Sequence, residues 1–219
     1  MSTARYAQLL DLACGVFLLA AVLVLWRREL AAIIRVFAVQ GLALAAIAVL
    51  LGLHQHRWDL FAVAALVAVL RAGLLPHLVR RALVAGGEAQ KTAPLATAAA
   101  SLPAAAALVL LAWAAAHPLT ELAPAPATRA LPVGFAVVLI GCFTEVTRRR
   151  ALSQVVGFLL IDNGITAVAF LATSWVPPIV ELGVSFDVLF AVLVLQLLTV
   201  RIRAEFGRTD LDGLWDLHD

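Results

Sequence analysis

Apolar runs of about 20 residues recur along this chain from near residue 5 to near residue 204, and they constrain its fold more than any other feature. A helix of that length rises about 30 Å, which is the thickness of the hydrocarbon core of a bilayer. The sequence is 63% hydrophobic and only 14% charged. The helices of a soluble domain are not apolar on every side, because one side usually faces water. The sequence therefore predicts an all-α, polytopic membrane protein.

Seven transmembrane helices are predicted, separated by segments that carry charges, proline or glycine. The approximate spans are 6–26, 30–53, 59–79, 95–116, 130–147, 151–173 and 180–200. Pro76 lies in the third span, and we expect it to kink this helix or to end its regular part early. The break after the fourth span is predicted to begin at Pro118.

An internal repeat appears when the sequence is moved 121 positions along itself without a gap. The residues that coincide are Arg27-Arg28 with Arg148-Arg149, Phe37 with Phe158, Leu50 with Leu171, and Val79-Arg80 with Val200-Arg201. Because four spans separate the copies, both have the same orientation and form a parallel repeat. The predicted domains are a three-helix repeat (1–84), a linker with the fourth helix (85–126), a second three-helix repeat (127–206) and a cytoplasmic tail (207–219).

Four polar residues lie deep inside apolar spans. Asp162 is 12 residues from Arg150, and Asp187 is 14 residues from Arg201; these separations place both acids about 18–21 Å along their helices, near the middle of the bilayer. The first copy has no acid at the equivalent positions and carries Gln40 and Arg71 in its second and third spans. A charge at this depth costs about 2.5–3.5 kcal/mol, so it normally faces a partner or water.

These residues support two hypotheses that the sequence leaves open. In the first, Asp187 or Asp162 exchanges protons while Arg71 controls their proton affinity. In the second, Arg71 and one acid pair with each other, or with groups on a neighbouring subunit, and only hold helices together. Arg35 and Glu145 lie within two turns of a membrane boundary, where snorkelling explains a charge. A phosphate loop, a CxxC motif and a nucleophile triad are missing from the sequence, so we expect no cofactor site in this chain.

The sequence from Gly157 onward resembles the hydrogenase-4 component E family. The similar segments are Gly157-Phe158-Leu159-Leu160-Ile161-Asp162-Asn163-Gly164, Pro178-Ile179-Val180-Glu181-Leu182-Gly183, Phe186-Asp187, Phe190-Ala191-Val192 and Thr209-Asp210-Leu211-Asp212. The resemblance is strong from about residue 148 and extends by helix pattern over essentially the whole chain. Members of that family are membrane subunits of group-4 nickel–iron hydrogenases and formate hydrogenlyase-type complexes.

Spans five to seven also resemble the K-type subunit of respiratory complex I and the C subunit of multisubunit cation/proton antiporters. That subunit carries one glutamate in each of its second and third helices. Asp187 matches the second glutamate by its spacing to Arg201, whereas Leu159 stands at the position of the first and Asp162 lies one turn beyond it. The resemblance thus implies a proton-coupling role for Asp187 and, less directly, for Asp162.

The resemblance implies a subunit of a complex I-like, proton-translocating assembly in the bacterial cell membrane, not catalytic alone. Its expected partners are antiporter-like membrane subunits, a cytoplasmic redox or other soluble module and the bilayer, with no nucleic acid. The alternatives are a structural spacer, a subunit of a cation/proton antiporter-type complex and a free-standing transporter, although the spans have few of the polar groups that transporters use. We expect the tail to dock on a cytoplasmic subunit through four apolar residues, since a free end has little reason to expose them: Leu211, Leu214, Trp215 and Leu217.

The distribution of basic residues predicts the topology of the chain. One side of the membrane holds eleven: Arg27, Arg28, Arg80, Arg81, Lys91, Arg148, Arg149, Arg150, Arg201, Arg203 and Arg208. The other side holds Arg5, Arg57 and Arg129. The excess predicts an N-terminus outside and a C-terminus in the cytoplasm. Reporter fusions after Arg150 and after Asp219 should both report a cytoplasmic location, and a periplasmic signal from either fusion would contradict the seven-span topology.

Overall fold

The computed structural model describes residues 2–27, 29–86, 98–122, 125–148 and 151–173. These residues form helices and short connections, and no β-strand is found among them. The helices are α1 (Thr3–Trp26), α2 (Leu30–Gln55), α3 (Asp59–Val67), a π-helix (Ala68–Leu74), α4 (Leu75–Gly86), α5 (Ala98–Leu122), α6 (Pro126–Arg129), α7 (Leu131–Thr147) and α8 (Ala151–Thr173). The π-helix joins α3 to α4 without a break, so these three segments make one long helix.

Six of the described helices are long and apolar enough to cross a membrane. They are Thr3–Trp26, Leu30–Gln55, Asp59–Arg81, Ala100–Glu121, Pro126–Thr147 and Gln154–Ala172. They coincide with the first six predicted spans and confirm the all-α, polytopic class. The predicted seventh span, 180–200, lies outside the described residues, and the division into two repeats stays a prediction.

The fourth span ends later than the sequence predicts. Helix α5 continues through Pro118 to Leu122 and also contains Pro103. A proline removes one backbone donor, but its fixed φ is compatible with a helix, and membrane helices tolerate the lost hydrogen bond. The proline at 118 therefore does not begin the loop.

Helices α2 and α8 lie at the centre of the packed bundle. Within the membrane-spanning part of each, 61% of the residues are buried, compared with 17% in α5. Helix α2 packs against α1, α3 and the π-helix, and α8 packs most extensively against α7. Helix α5 contacts mainly α7 and leaves most of its surface uncovered by the described residues. The centre is therefore the place where polar side chains from several helices can meet.

The π-helix ends at Leu74, two residues before Pro76, and α4 continues through Pro76 to Gly86, so the third span changes its hydrogen-bond pattern near the proline without ending there. Proline has no N–H group, so the carbonyl of Ala72 has no donor four residues ahead, and the backbone changes its hydrogen-bond spacing there. Gly41 of α2 packs directly on this segment. A Cβ atom on Gly41 would lie 2.8 Å from the carbonyl carbon and oxygen of Arg71, so the close approach requires glycine.

Glycines on both helices bring α7 and α8 into backbone contact. They repeat at intervals of seven residues, as Gly134 and Gly141 on α7 and as Gly157 and Gly164 on α8. A Cβ on Gly164 would lie 2.7 Å from the backbone nitrogen of Val138, and one on Gly141 would lie 2.8 Å from that of Ile161. Small residues permit such close packing of membrane helices, where dispersion contacts replace the hydrophobic effect.

The buried side chain of Arg148 joins α7 to the end of α1. Its Nη2 atom donates to the carbonyl oxygens of Leu25 at 3.0 Å and Arg27 at 2.9 Å, with a longer contact to Val24 at 3.3 Å. These oxygens belong to the last turn of α1, where carbonyls have no partner within the helix. Arg148 therefore caps α1 from the end of another helix, and one of its acceptors is the carbonyl of Arg27, 121 positions earlier in the sequence.

Replacing Gly164 with alanine should destabilise the α7–α8 pair, because the new methyl group would collide with Val138. Overpacking of this kind costs about 1–3 kcal/mol. Gly15 provides the matched control, since a Cβ there would meet no atom of the described residues within 4 Å. Unfolding of both variants in mixed detergent micelles measures the difference. Equal stability of Gly164→Ala and Gly15→Ala would contradict the observed packing.

Candidate functional site

Arg71 lies at the middle of the bundle and is fully buried. Its Nη1 atom is 2.7 Å from Oδ2 of Asp162, so the π-helix and α8 are joined by a buried ion pair. The sequence predicts that both residues lie deep in the membrane, Arg71 in span three and Asp162 in span six, and their direct contact agrees with this prediction. The structure brings together a basic residue of the third span and an acid of the sixth.

Three neutral side chains surround the ion pair. The guanidinium of Arg71 donates to Asn163 Oδ1 at 2.6 Å and to Thr166 Oγ1 at 2.8 Å. Asn163 Nδ2 donates to Gln40 Oε1 at 3.0 Å, and Gln40 Nε2 donates to the carbonyl of Phe17 on α1 at 3.4 Å. We refer to Arg71, Asp162, Asn163, Thr166 and Gln40 as the polar cluster. It connects α1, α2, the π-helix and α8.

Local structure explains why these side chains converge. Asp162 and Thr166 are four residues apart on α8 and therefore share one face of that helix. Asn163 follows Asp162 directly, and the planar fork of a guanidinium can donate to several oxygens at once. Gln40 precedes Gly41, the residue that allows α2 to approach the π-helix. Close backbone packing thus places Gln40 within reach of Asn163.

The polar cluster contains one fixed cation and one group that can change its charge. The guanidinium of Arg71 is a cation with donors only, whereas the carboxyl group of Asp162 exists in a charged and a neutral form. Asn163 and Gln40 hold fixed dipoles, and the Thr166 hydroxyl can both donate and accept a hydrogen bond. The arrangement can therefore hold a charge pair in the membrane and change its net charge by one unit.

The structure locates three of the sequence-predicted site residues together. Arg71, Gln40 and Asp162 are all in the polar cluster, an arrangement that is compatible with both sequence hypotheses. Asp187 lies outside the described residues. The same holds for the predicted docking residues of the tail, which are Leu211, Leu214, Trp215 and Leu217.

Asn163 and Thr166 are functional candidates that sequence reasoning missed. Asn163 entered only as part of a family-like segment, and Thr166 was not singled out. Both are nearly fully buried. The available signal was their spacing, one and four residues beyond a mid-membrane acid. Burying a neutral polar side chain in an apolar helix costs less free energy than burying a charge, so these two residues are a weaker signal in the sequence.

Other polar residues of the spans lie away from the cluster. Arg35 is exposed and its Nε donates to the carbonyl of Ala31 at 3.3 Å, as expected for a residue near the boundary. His54 stacks on Tyr6, with ring centroids 3.9 Å apart. Within the described ranges, no group of three His, Cys, Asp or Glu side chains could hold a metal ion. The absence of a cofactor from this chain stays a prediction.

Comparison with known proteins shows one similarity over the full length and another over part of it. The chain is 50% identical over 220 aligned residues, 100% of both sequences, to the uncharacterized protein Rv0085 of Mycobacterium tuberculosis. It is 35% identical over 85 residues to hydrogenase-4 component E of Escherichia coli and of Shigella flexneri, which covers 39% of each sequence. No protein-family model matches the sequence. No solved structure matches it. Extension of the hydrogenase-4 resemblance over the whole chain therefore stays a prediction.

The buried ion pair should behave as a coupled unit in stability measurements. Arg71→Gln or Asp162→Asn leaves one buried charge without its partner, and the loss expected for such a change is about 3–5 kcal/mol. The double variant removes both charges and should recover much of that loss. Unfolding in mixed detergent micelles gives the four stabilities of the cycle.

Arg57 and Asp59 supply the control for this cycle. They form an ion pair whose side chains are each 37% exposed, and such pairs contribute about 0–1 kcal/mol. Arg57→Gln and Asp59→Asn should therefore change stability little. Additive effects of Arg71→Gln and Asp162→Asn, with no recovery in the double variant, would contradict a direct interaction.

Proposed function

This chain belongs to the family of the Mycobacterium tuberculosis protein Rv0085, and we propose that it is a membrane subunit of a complex I-like, ion-translocating assembly. The similarity to a component of hydrogenase-4 supports membership of a multisubunit complex. In this proposal the subunit has no catalytic activity alone. It sits in the bacterial cell membrane beside antiporter-like subunits and a cytoplasmic redox or other soluble module, with its N-terminus outside.

The polar cluster is the observation that carries the proposal. Each mid-membrane charge costs about 2.5–3.5 kcal/mol on insertion scales. Apolar residues of similar volume hold helices together as well as a buried ion pair, and often better. Holding the helices together with the Arg71–Asp162 pair therefore costs more free energy than apolar packing would. This cost favours a role for the charge itself.

In this role Arg71 acts as a fixed positive charge for acids that gain and lose protons. Protonation of Asp162 would leave Arg71 without a full counter-charge, so a second acid at the same depth would become the favoured partner. Asp187 is the candidate, because its spacing to Arg201 places it near mid-membrane. We propose that Arg71 couples the two acids and that Asn163, Thr166 and Gln40 keep its guanidinium in position.

A structural clamp is the second candidate, and the hydrogen-bond network around Arg71 favours it. Four described side chains besides Arg71 take part, and the chain of contacts ends on the backbone of α1. A network of this kind fixes the arrangement of α2, the π-helix and α8. The protein would then be a spacer between other subunits, without ion translocation.

Purification in mild detergent tests whether the protein belongs to a complex. An affinity tag on the C-terminus should recover the chain with other membrane subunits and a soluble module in fixed ratios. Untagged membranes provide the control for non-specific capture. Recovery of the chain alone would instead support a free-standing transporter.

Substitution of the two acids tests the role of the charge. Asp187→Asn should assemble normally, whereas Asp162→Asn should yield less assembled complex because Arg71 loses its partner. In reconstituted complexes, normalised to subunit content, both variants should reduce proton flux driven by a potassium diffusion potential by about tenfold, the equivalent of 1.4 kcal/mol in the limiting step. Asp187→Glu should retain much of the flux. Asp59→Asn, at a half-exposed position, is the control.

The remaining outcomes distinguish the two candidate functions. Loss of assembly in both Asp162→Asn and Arg71→Gln would identify the polar cluster as a structural clamp. Normal flux in assembled complexes that carry both asparagine substitutions would exclude proton coupling through either acid.

A further inference from the structure

One side of helix α1 is left uncovered by the other described helices. The opposite side, which packs against α2, α5 and α7, carries the buried side chains of this helix. On the uncovered side, four exposed residues follow each other at intervals of three or four and therefore share one face of the helix: Gln8, Asp11, Gly15 and Leu19. We refer to these four residues as the exposed face of α1.

Asp11 places an acid inside the membrane-spanning part of this face. The stacked rings of Tyr6 and His54 lie at the end of the bundle where α1 begins, because α2 ends one residue later at Gln55. Asp11 follows Tyr6 by five residues and therefore lies about 7.5 Å deeper along the helix axis. Aspartate has a single methylene group, so it cannot snorkel over this depth as lysine or arginine does. A carboxylate in this position requires a partner within the bilayer.

The described residues do not supply that partner. Within the described ranges, no ion pair and no hydrogen bond involves the side chain of Asp11. Arg57, at the same end of the bundle, forms an ion pair with Asp59. Arg5 lies six residues before Asp11, which corresponds to about 120° around the axis of α1. A cation for Asp11 must therefore come from elsewhere.

Gly15 provides an independent observation on the same face. Glycine destabilises a helix relative to alanine, so a glycine within a span needs a structural reason. Gly41 and the four glycines between α7 and α8 have one, because a Cβ atom on each would lie 2.7–2.8 Å from the facing helix. A Cβ atom on Gly15 would meet no atom of the described residues within 4 Å. One turn from Asp11, Gly15 thus leaves room for the backbone of another helix to approach.

We propose that the exposed face of α1 binds a transmembrane helix of another subunit, which packs on Gly15 and presents an arginine or lysine to Asp11. The opposite charges would compensate each other inside the bilayer, and the glycine would permit close packing of the two helices. The inference rests on the proposed function, because it requires a second membrane subunit. It adds the position of that subunit and the charge of its contacting helix.

Charge disfavours the two other occupants that this chain itself could provide. The predicted seventh span, 180–200, contains Glu181 and Asp187 but no lysine or arginine, so it has no cation to offer Asp11. A second copy of the chain, related by twofold symmetry through this face, would bring two Asp11 carboxylates close together. Like charges at such a contact repel each other. A basic helix from a different subunit avoids both problems.

Photo-cross-linking in the intact complex identifies the occupant of this face. Benzoylphenylalanine in place of Leu12 or Leu19, which are 64% and 57% exposed on α1, should form an adduct with another membrane subunit that mass spectrometry identifies. Leu42 is 55% exposed on α2 and provides the control. It should give at least fivefold less adduct with the same subunit. An adduct only with residues 180–200, with a second copy or with lipid, or no adduct at all, would overturn the proposal.

Two substitutions on the exposed face test the contact itself. Asp11→Asn and Gly15→Leu should each lower the amount of the cross-linked subunit that co-purifies with the chain at least threefold, while Asp11→Glu should retain most of it. Both losses should occur without a change in the unfolding of the isolated chain in mixed detergent micelles. Asp59→Asn, on the same side of the membrane, is the control and should leave co-purification unchanged.

Exchange of the charges gives a more specific test. Asp11→Lys should weaken co-purification, and a second substitution of the facing arginine or lysine by aspartate should restore it. Failure of every basic residue of the cross-linked helix to restore binding would contradict the assigned charge pair.

The composition of the purified complex separates failure of this inference from failure of the proposed function. Recovery of the wild-type chain without other membrane subunits would overturn both. A complete complex whose composition is unchanged by Asp11→Asn and Gly15→Leu would overturn only the docking of a basic helix on α1. A loss of stability of the isolated chain in Gly15→Leu would show that this face packs within the chain, and it would overturn the inference as well.

Discussion

The ion pair between Arg71 and Asp162 is the interaction on which the arrangement of this bundle depends. The charges come from helices 91 positions apart in the sequence, and their contact brings the third span against the sixth. Further close contacts surround this pair. The π-helix carries Arg71, Gly41 lets α2 approach its backbone, and Gln40 then reaches Asn163. An apolar bundle alone would not specify these neighbours, because lipid tails and leucine side chains are equally apolar.

Two independent connections link the earlier helices to α7 and α8. The polar cluster joins α1, α2 and the π-helix to α8 in the interior, while Arg148 joins the end of α1 to the end of α7. Since the connections lie at different depths, they oppose tilting of the two groups of helices relative to each other. This rigidity supports either candidate function, because a proton path also requires fixed distances between its groups.

Sequence reasoning predicted the spans well because hydropathy over 20 residues is a strong signal in a membrane. It also predicted that Arg71 needs a charged or polar partner, either a mid-membrane acid of this chain or a group on a neighbouring subunit, since an isolated charge at that depth is too costly. The choice of Asp162 and the contributions of Asn163 and Thr166 depend on how the helices pack. Single-residue features such as glycine at 41 and 157 decide that packing, and their effect appears only when the facing helix is known.

The separation of the paired charges along the chain has a consequence for membrane insertion. Arg71 is synthesised 91 residues before Asp162. At translation rates of about 5–20 residues per second, the guanidinium waits on the order of 5–20 s for its counter-charge. During that interval the third span carries an uncompensated cation, which favours a position near the translocon or near the membrane surface. Arrival of α8 would then draw the earlier helix to its final depth, so the ion pair would complete insertion as well as folding.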